Sequence, residues 1–439
     1  MSDQEQNSES TLRRAFEALA IDDEGRACRD IPESACREEP RNFFTHVTSL
    51  SLSKLADGLV DPKLVLSWLL TSLGAPGAVI GLLVPVREAG ALLPQMFTAA
   101  SIRAMPLRKY AWAGGAVMQG VAALAIFAFA QMFEGATAGW AILGALGVLA
   151  LARSVCSVSY KDVLGKTVSK SRRGTATGVA GSIAAGMVIL FAVLLVSGLV
   201  ERRTIVLAAL VGAGLCWILG GVVFATLQEA EGATEGGEQA FSVARQNLSL
   251  LSEDPQLRMF IAARGCLTAT ALAPPFMVAA SSSEGQTAFE GLGFLVLASS
   301  GAGLVSSFVW GRLSDRSSRK VLLISALAGA LSLGATTLAA VAGALATIWV
   351  LPLLLFGLMI AYQGVRLGRS THLVDMANED TRAAYTAISN TVIGVVLLVG
   401  SVFGVVAQAF GNAAVLGSMA SLCLAGAFFA FRLEEVQAE

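Results

Sequence analysis

Long apolar runs alternate with short polar segments from about residue 45 to residue 432. A helix that crosses a bilayer needs about 20 mostly apolar residues. Stretches of that kind fall at roughly 45–72, 76–100, 110–132, 138–158, 174–199, 203–227, 258–281, 290–311, 321–342, 346–366, 384–406 and 411–432. The runs are unbroken, which predicts helices. A transmembrane barrel would show strands of about ten alternating residues instead. The expected fold is an all-α polytopic membrane protein with twelve crossing helices, the first of them the most polar.

The polar segments divide the chain. Residues 1–42 read as a charged N-terminal tail, 43–227 as a first six-helix half and 228–257 as a Glu- and Gly-rich linker. Residues 258–432 then form a second six-helix half, and 433–439 a C-terminal tail. In the first tail Leu12, Ala15, Phe16 and Leu19 have helical spacing. That fits a short helix on the membrane surface or a disordered tail. The cations fall in alternate connections: Arg103, Arg108 and Lys109; Lys161, Lys166, Lys170, Arg172 and Arg173; Arg312, Arg316, Arg319 and Lys320; Arg369 and Arg382. The connections between these are nearly free of cations, Arg202-Arg203 excepted. The positive-inside rule then puts both termini in the cytoplasm. The expected location is a bacterial inner (plasma) membrane.

Composition agrees. The chain is 55% hydrophobic and 14% charged, where a soluble protein would carry about a quarter charged residues. A net charge of −1 gives no support for a nucleic-acid partner. Small residues let helices approach closely in lipid, as at Gly77-x-x-x-Gly81 and Gly174-x-x-x-Gly178. The six cysteines form no zinc or disulfide pattern and read as free thiols. Two histidines are too few for a histidine-based metal enzyme. The spacing His372-x-x-x-Met376 suits a soft metal but reads better as a solvated loop. The chain lacks a phosphate-binding glycine loop and any hydrolase motif. No cofactor, metal or enzymatic reaction is expected.

Ten residues stand out: Gly311 to Lys320, G-R-L-S-D-R-S-S-R-K, between two apolar runs. The positive-inside rule accounts for the cations but not for Asp315. At an offset of 211 residues Arg319-Lys320 falls on Arg108-Lys109, Gly301 on Gly90 and Phe308 on Phe97. Such parallel internal repeats mark secondary transporters.

Twelve spans, two halves, a central linker and this segment together resemble the major facilitator superfamily. The resemblance covers about 45–432. Gly311, Leu313, Asp315, Arg316, Arg319 and Lys320 match the family's loop signature, with Ser318 in place of its second Gly. The copy in the first half, Ala100 to Lys109, keeps only Arg108-Lys109. Residues 174–186 are Gly-rich but lack the proline of the family's antiporter signature. The resemblance implies alternating access, with Gly311, Asp315, Arg316, Arg319 and Lys320 as a gating loop. Asp315 is expected at the N-terminus of a neighbouring span, near Arg382. Arg316 and Arg319 are expected on nearby carboxylates or carbonyls.

Ionisable groups inside a membrane are costly and mark functional candidates. Lys54, Asp57 and Asp61 share one helical face, and Pro62 is placed to break that helix. Structural neutralisation of Lys54 by Asp57 is the alternative reading. Arg87 and Glu88 lie mid-span, about 100° apart on the helix. Arg87 suits an ion pair with Asp57 or Asp61, or an anionic substrate. Glu88 suits proton uptake and release. Arg264 is an isolated cation about two turns into its span, where snorkelling to the surface is the simpler reading. Arg153 and Arg366, at span ends, read as interfacial anchors or latch partners. Tyr362, Gln363 and Asn390 are neutral groups able to line a cavity. The expected function is secondary transport of a small solute, with protons as the candidate coupling ion and the bilayer as surroundings. A non-transporting sensor or assembly factor of the same fold is the alternative.

Overall fold

A computed structural model describes residues 33–95, 98, 101–102, 104–231, 251, 254–282, 291–377 and 382–436. Among them the chain is helical, with no strand. In order the helices are α1 Glu33–Leu59, α2 Val65–Ser72, α3 Gly77–Leu92, α4 Lys109–Met132, α5 Gly135–Thr167, α6 Lys170–Ser197 and α7 Arg202–Ala225. After the linker come α8 Pro255–Leu267, α9 Ala269–Ser282, α10 Leu292–Arg316, α11 Ser318–Val341, α12 Val350–Met376, α13 Arg382–Val399, α14 Val402–Phe410 and α15 Asn412–Phe431.

Nine helices among the described residues are long and apolar enough to cross a membrane. They are α4 to α7, α8 with α9, α11, α12, α13 with α14, and α15. The first predicted span is broken: α1 and α2 flank a turn at 60–64, where Pro62 stands. The residue before a proline is disfavoured in helical conformation, which ends α1 there.

Several expected loops are helix instead. α5 runs to Thr167 through most of the predicted loop 159–173, and α12 runs to Met376. α10 continues to Arg316, so the expected loop 312–320 shrinks to a break at Ser317. At the end of α5 the polar residues pair within the helix, with Lys166 3.1 Å from Asp162. The N-terminal tail also ends sooner than expected, because α1 begins at Glu33. Buried Glu39 accepts from Ser169 and, at 3.0 Å, from Arg172. The segment with Leu12 to Leu19 lies outside the described residues.

Helices α1 to α7 pack on one another, and so do α8 to α15. The main contacts between the two sets are α6 on α10 and α3 on α13 and α14. At the second seam Gly81 meets Gly404, where a Cβ on Gly81 would stand 2.8 Å from the Gly404 Cα. Gly174 and Gly178, expected to serve close packing, face open space: a Cβ on either would meet nothing within 4 Å outside its own turn of helix. Cys36 is in a disulfide whose partner lies outside the described residues, which corrects the reading of six free thiols. Cys156, Cys216, Cys266 and Cys423 are free.

Candidate functional site

The turn between α1 and α2 starts the site. Asp61 accepts hydrogen bonds from the backbone N–H groups of Lys63 and Leu64, at 2.7 and 3.2 Å. A carboxylate used this way fixes the turn, as Asx side chains commonly do. The turn turns Lys63 inward, where it is 7% exposed. Its Nζ lies 3.6 Å from the centre of the Tyr362 ring of α12, a cation–π contact between the two helix sets.

One turn earlier, Asp57 is shared by two arginines. Arg87 of α3 donates to Oδ1 at 2.7 Å, and Arg153 of α5 holds Oδ2. The pairing of Arg87 with Asp57 is one of those expected. Arg153, read as an interfacial anchor, is instead a partner in this triad. Lys54 makes no direct ion pair with Asp57: its Nζ donates to the Thr177 carbonyl of α6 at 2.9 Å.

Glu88 of α3 lies across from the second helix set, in a cavity of about 30 Å³ with Arg264, Thr268, Thr270, Tyr362, Arg366 and Arg369. That is room for two or three waters. Among the described residues Glu88 and these three arginines form no ion pair with any partner. Arg264 does not snorkel. It is 6% exposed, and donates to Ser389 Oγ at 2.6 Å and Asn390 Oδ1 at 3.0 Å. Its Nε is buried without a partner. Arg366 also borders a second, larger cavity of about 230 Å³, lined by Ser306, Trp310, Gln363 and Ser370.

The Gly311–Lys320 segment forms a separate corner at the charged end of the second set. Gly311 and Asp315 lie in α10, and the side chain of Asp315 is outside the described residues. Ser317 accepts from Lys320 N–H and donates to Glu435 at 2.6 Å. Arg319 donates to the Leu433 carbonyl at 3.1 Å and lies 3.7 Å from Glu435. Arg316 and Lys320 face outward. His372 is helical and buried, hydrogen-bonded to Ser318 at 2.9 Å and stacked on Phe260, which replaces the solvated loop expected there. In the first set, Arg108 pairs with Asp162 at 2.5 Å, while Glu229 accepts from the backbone N–H of Lys109 at 2.8 Å. Among the described residues no group of three metal-ligating side chains occurs.

No protein-family profile matches the chain, and no curated protein sequence does. Solved structures do match. The nucleoside transporter NupG superposes with a TM-score of 0.62 at 15% identity, over 90% of this chain and all of that one. A POT family transporter in complex with a thioalcohol-conjugated peptide gives 0.67 at 10% identity, over 91% of this chain and 97% of its own. The xylose transporter XylE from E. coli gives 0.63 at 12% identity, over 91% and 99%. All three are major facilitator proteins.

The chain has the major facilitator fold. It is an integral membrane protein. Lys63, Glu88, Arg264, Arg366 and Arg369 fall where the two helix sets face each other. Sequence reasoning had singled out Asp57, Asp61, Glu88, Arg87, Lys54 and Arg264. It missed Lys63, and it left Arg369 in a loop. Lys63 follows Pro62, and that proline was the available signal. Arg369 is one turn beyond Arg366, a spacing that becomes meaningful only once α12 is seen to continue.

Proposed function

We propose that the protein is a secondary transporter of a small solute, working by alternating access between two six-helix halves. Residues 43–227 and 258–432 form the halves and 228–257 the connection on the cytoplasmic side. The observation that carries this reading is the cavity between the sets, with Glu88 from one facing Arg264, Arg366 and Arg369 from the other. Ionisable groups in such a place are expensive and are retained for transport. The broken first helix, α10 and α3 supply the three crossings beyond the nine apolar helices.

The same geometry narrows the proton-coupling residue. Asp57 is taken up by two arginines, and Asp61 is occupied by the backbone turn. Glu88 is the carboxylate left to exchange a proton. The charged groups facing it are Asp61 and Lys63 from the turn, Arg87 beside it, Arg153 from α5, Arg366 and Arg369 from α12 and Arg264 from α8. When the halves move apart, the cations of α8 and α12 withdraw from Glu88.

The corner at Ser317 would act as the cytoplasmic latch. Arg319, Glu435 and Leu433 tie the α10–α11 junction to the end of α15, while Gly311, Asp315, Arg316 and Lys320 complete the signature. Both termini then lie in the cytoplasm. The Cys36 disulfide lies at this end, where thiols are normally kept reduced. Cysteine labelling from outside intact cells, with and without reductant, reports the side directly.

The test of transport is reconstitution into vesicles loaded with a pH-sensitive dye. Solute-dependent proton movement that vanishes in Glu88→Gln is the expected result. Movement that survives in Glu88→Gln removes Glu88 from the coupling. Absence of any solute uptake by labelled substrate favours the sensor or assembly-factor alternative.

A further inference from the structure

We infer that the solute is a small organic oxyanion, carrying a carboxylate or a phosphate group, held by Arg264, Arg366 and Arg369. This rests on the transporter reading and names its substrate class. Three guanidinium groups line the cavity against one carboxylate, Glu88. None of the three has an acidic partner among the described residues, in contrast with Arg87 and Arg153, which share Asp57, and Arg172, which has Glu39.

A buried charge without a counter-ion is costly. Arg264 is such a group: it is 6% exposed, its two neutral partners Ser389 and Asn390 orient it without cancelling its charge, and its Nε has no acceptor. Simple structural roles do not need this arrangement. The cavity is too small for an organic anion in the conformation seen here, so the anion would enter with the halves further apart and supply the missing charge and acceptors at once. Guanidinium groups match carboxylate and phosphate oxygens in a two-pronged geometry. Tyr362 adds a hydroxyl group to the same wall, whereas Thr268 and Thr270 donate theirs to the Gly265 and Leu267 carbonyls. A neutral sugar or nucleoside would leave the excess of guanidinium over carboxylate charge unbalanced.

The same placement links substrate to proton. An anion bound among these arginines stands near Glu88, and two negative charges sharing a small site repel. A proton on Glu88 removes the repulsion. Substrate and proton therefore bind together and leave together, with the carboxyl proton of Glu88 released to water on the far side.

The test uses purified full-length protein and six defined probes at constant ionic strength. Lactate, succinate and glycerol 3-phosphate are the anions; glucose, adenosine and glycerol are the uncharged controls. The first readout is thermal stabilisation, which reports binding without transport. The second is uptake of the labelled probes into vesicles. At least one anion should stabilise the protein and none of the controls should. Arg264→Gln and Arg369→Gln should each weaken that binding at least tenfold, and Arg264→Lys should recover part of it. Glu88→Gln should bind the anion with its dependence on pH lost. Lactate or succinate against glycerol 3-phosphate separates the carboxylate from the phosphate.

Stabilisation by none of the anions overturns the inference, as does a control probe that binds or is taken up in their place. In the latter case the transporter reading stands. Anion binding with no uptake of that anion keeps the anion site and overturns the transporter reading. Variants that elute as monodisperse protein in detergent are scored, and Arg264→Lys guards against loss of fold in Arg264→Gln.

Discussion

Asp57 does the most at the residue scale, because two guanidinium groups depend on it. Replacing it with Asn leaves Arg87 and Arg153 side by side without a counter-charge. Breaking a fully buried pair costs about 3–5 kcal/mol, and these groups are partly exposed, so a loss of roughly 2 kcal/mol is expected for Asp57→Asn. Lys54→Met, which removes a single bond to a carbonyl, should cost on the order of 1 kcal/mol. Thermal melting of the two variants in one detergent gives the comparison, and equal losses would place the weight elsewhere. Asp254 offers a pH test outside the membrane. Burial acts to raise its pKa, but the hydrogen bond from Tyr385, the backbone N–H groups of Leu257 and Gln256 and the charge of Arg258 together hold it below the ordinary carboxylate value. A depressed folded-state value gives stability that is present above the unfolded pKa, about 4, and is lost as pH falls through the folded one. The wild type should therefore lose more melting temperature below about pH 4 than Tyr385→Phe does, with Asp254→Asn flattest of all.

Elements meet most closely where α3 crosses α14. Gly81 and Gly404 leave no room there for a side chain: a Cβ on Gly404 would stand 3.0 Å from the Ala78 carbonyl oxygen. Overpacking of this kind costs about 1–3 kcal/mol. This crossing joins the two helix sets, so Gly404→Leu should slow uptake at least tenfold as well as lower the melting temperature. Gly334→Leu is the control, since nothing stands within 4 Å of that position, and it should behave as wild type. The lengths of α5, α10 and α12 carry a related lesson. Hydropathy ends a span where polar residues begin, yet a helix ends where its backbone bonds find other partners. Ser317, which caps α11 by accepting from Lys320 N–H, makes that change in a single residue.

For the whole molecule, the contact of Lys63 with Tyr362 joins the two sets in the conformation seen here. A cation–π contact is worth about 0.5–2 kcal/mol, enough to shift a two-state balance up to about thirtyfold. Tyr362→Leu should thus favour the opposite-facing state, whereas Tyr362→Phe, which keeps the ring, should stay near wild type. Labelling rates of single cysteines placed on each side of the cavity read the shift, and unchanged rates in Tyr362→Leu would show that this contact does not hold the state.

The succession of apolar runs, the polar breaks between them and the cations at alternate ends were determined by the sequence itself. Lipid requires each crossing segment to satisfy its own backbone, so hydrophobic length translates directly into helices. Asp57, Glu88, Arg87 and Arg264 were visible for the same reason, as charges in apolar surroundings. Their partners were not. Whether Asp57 meets Lys54 or Arg153, whether Asp61 serves a proton or a turn, and whether Arg264 reaches the surface or a cavity depends on helices far apart in the chain. Only the tertiary structure decided that Glu88 would face Arg264, Arg366 and Arg369, because side-chain pairing is set by how helices pack and rotate, and hydropathy carries no record of that.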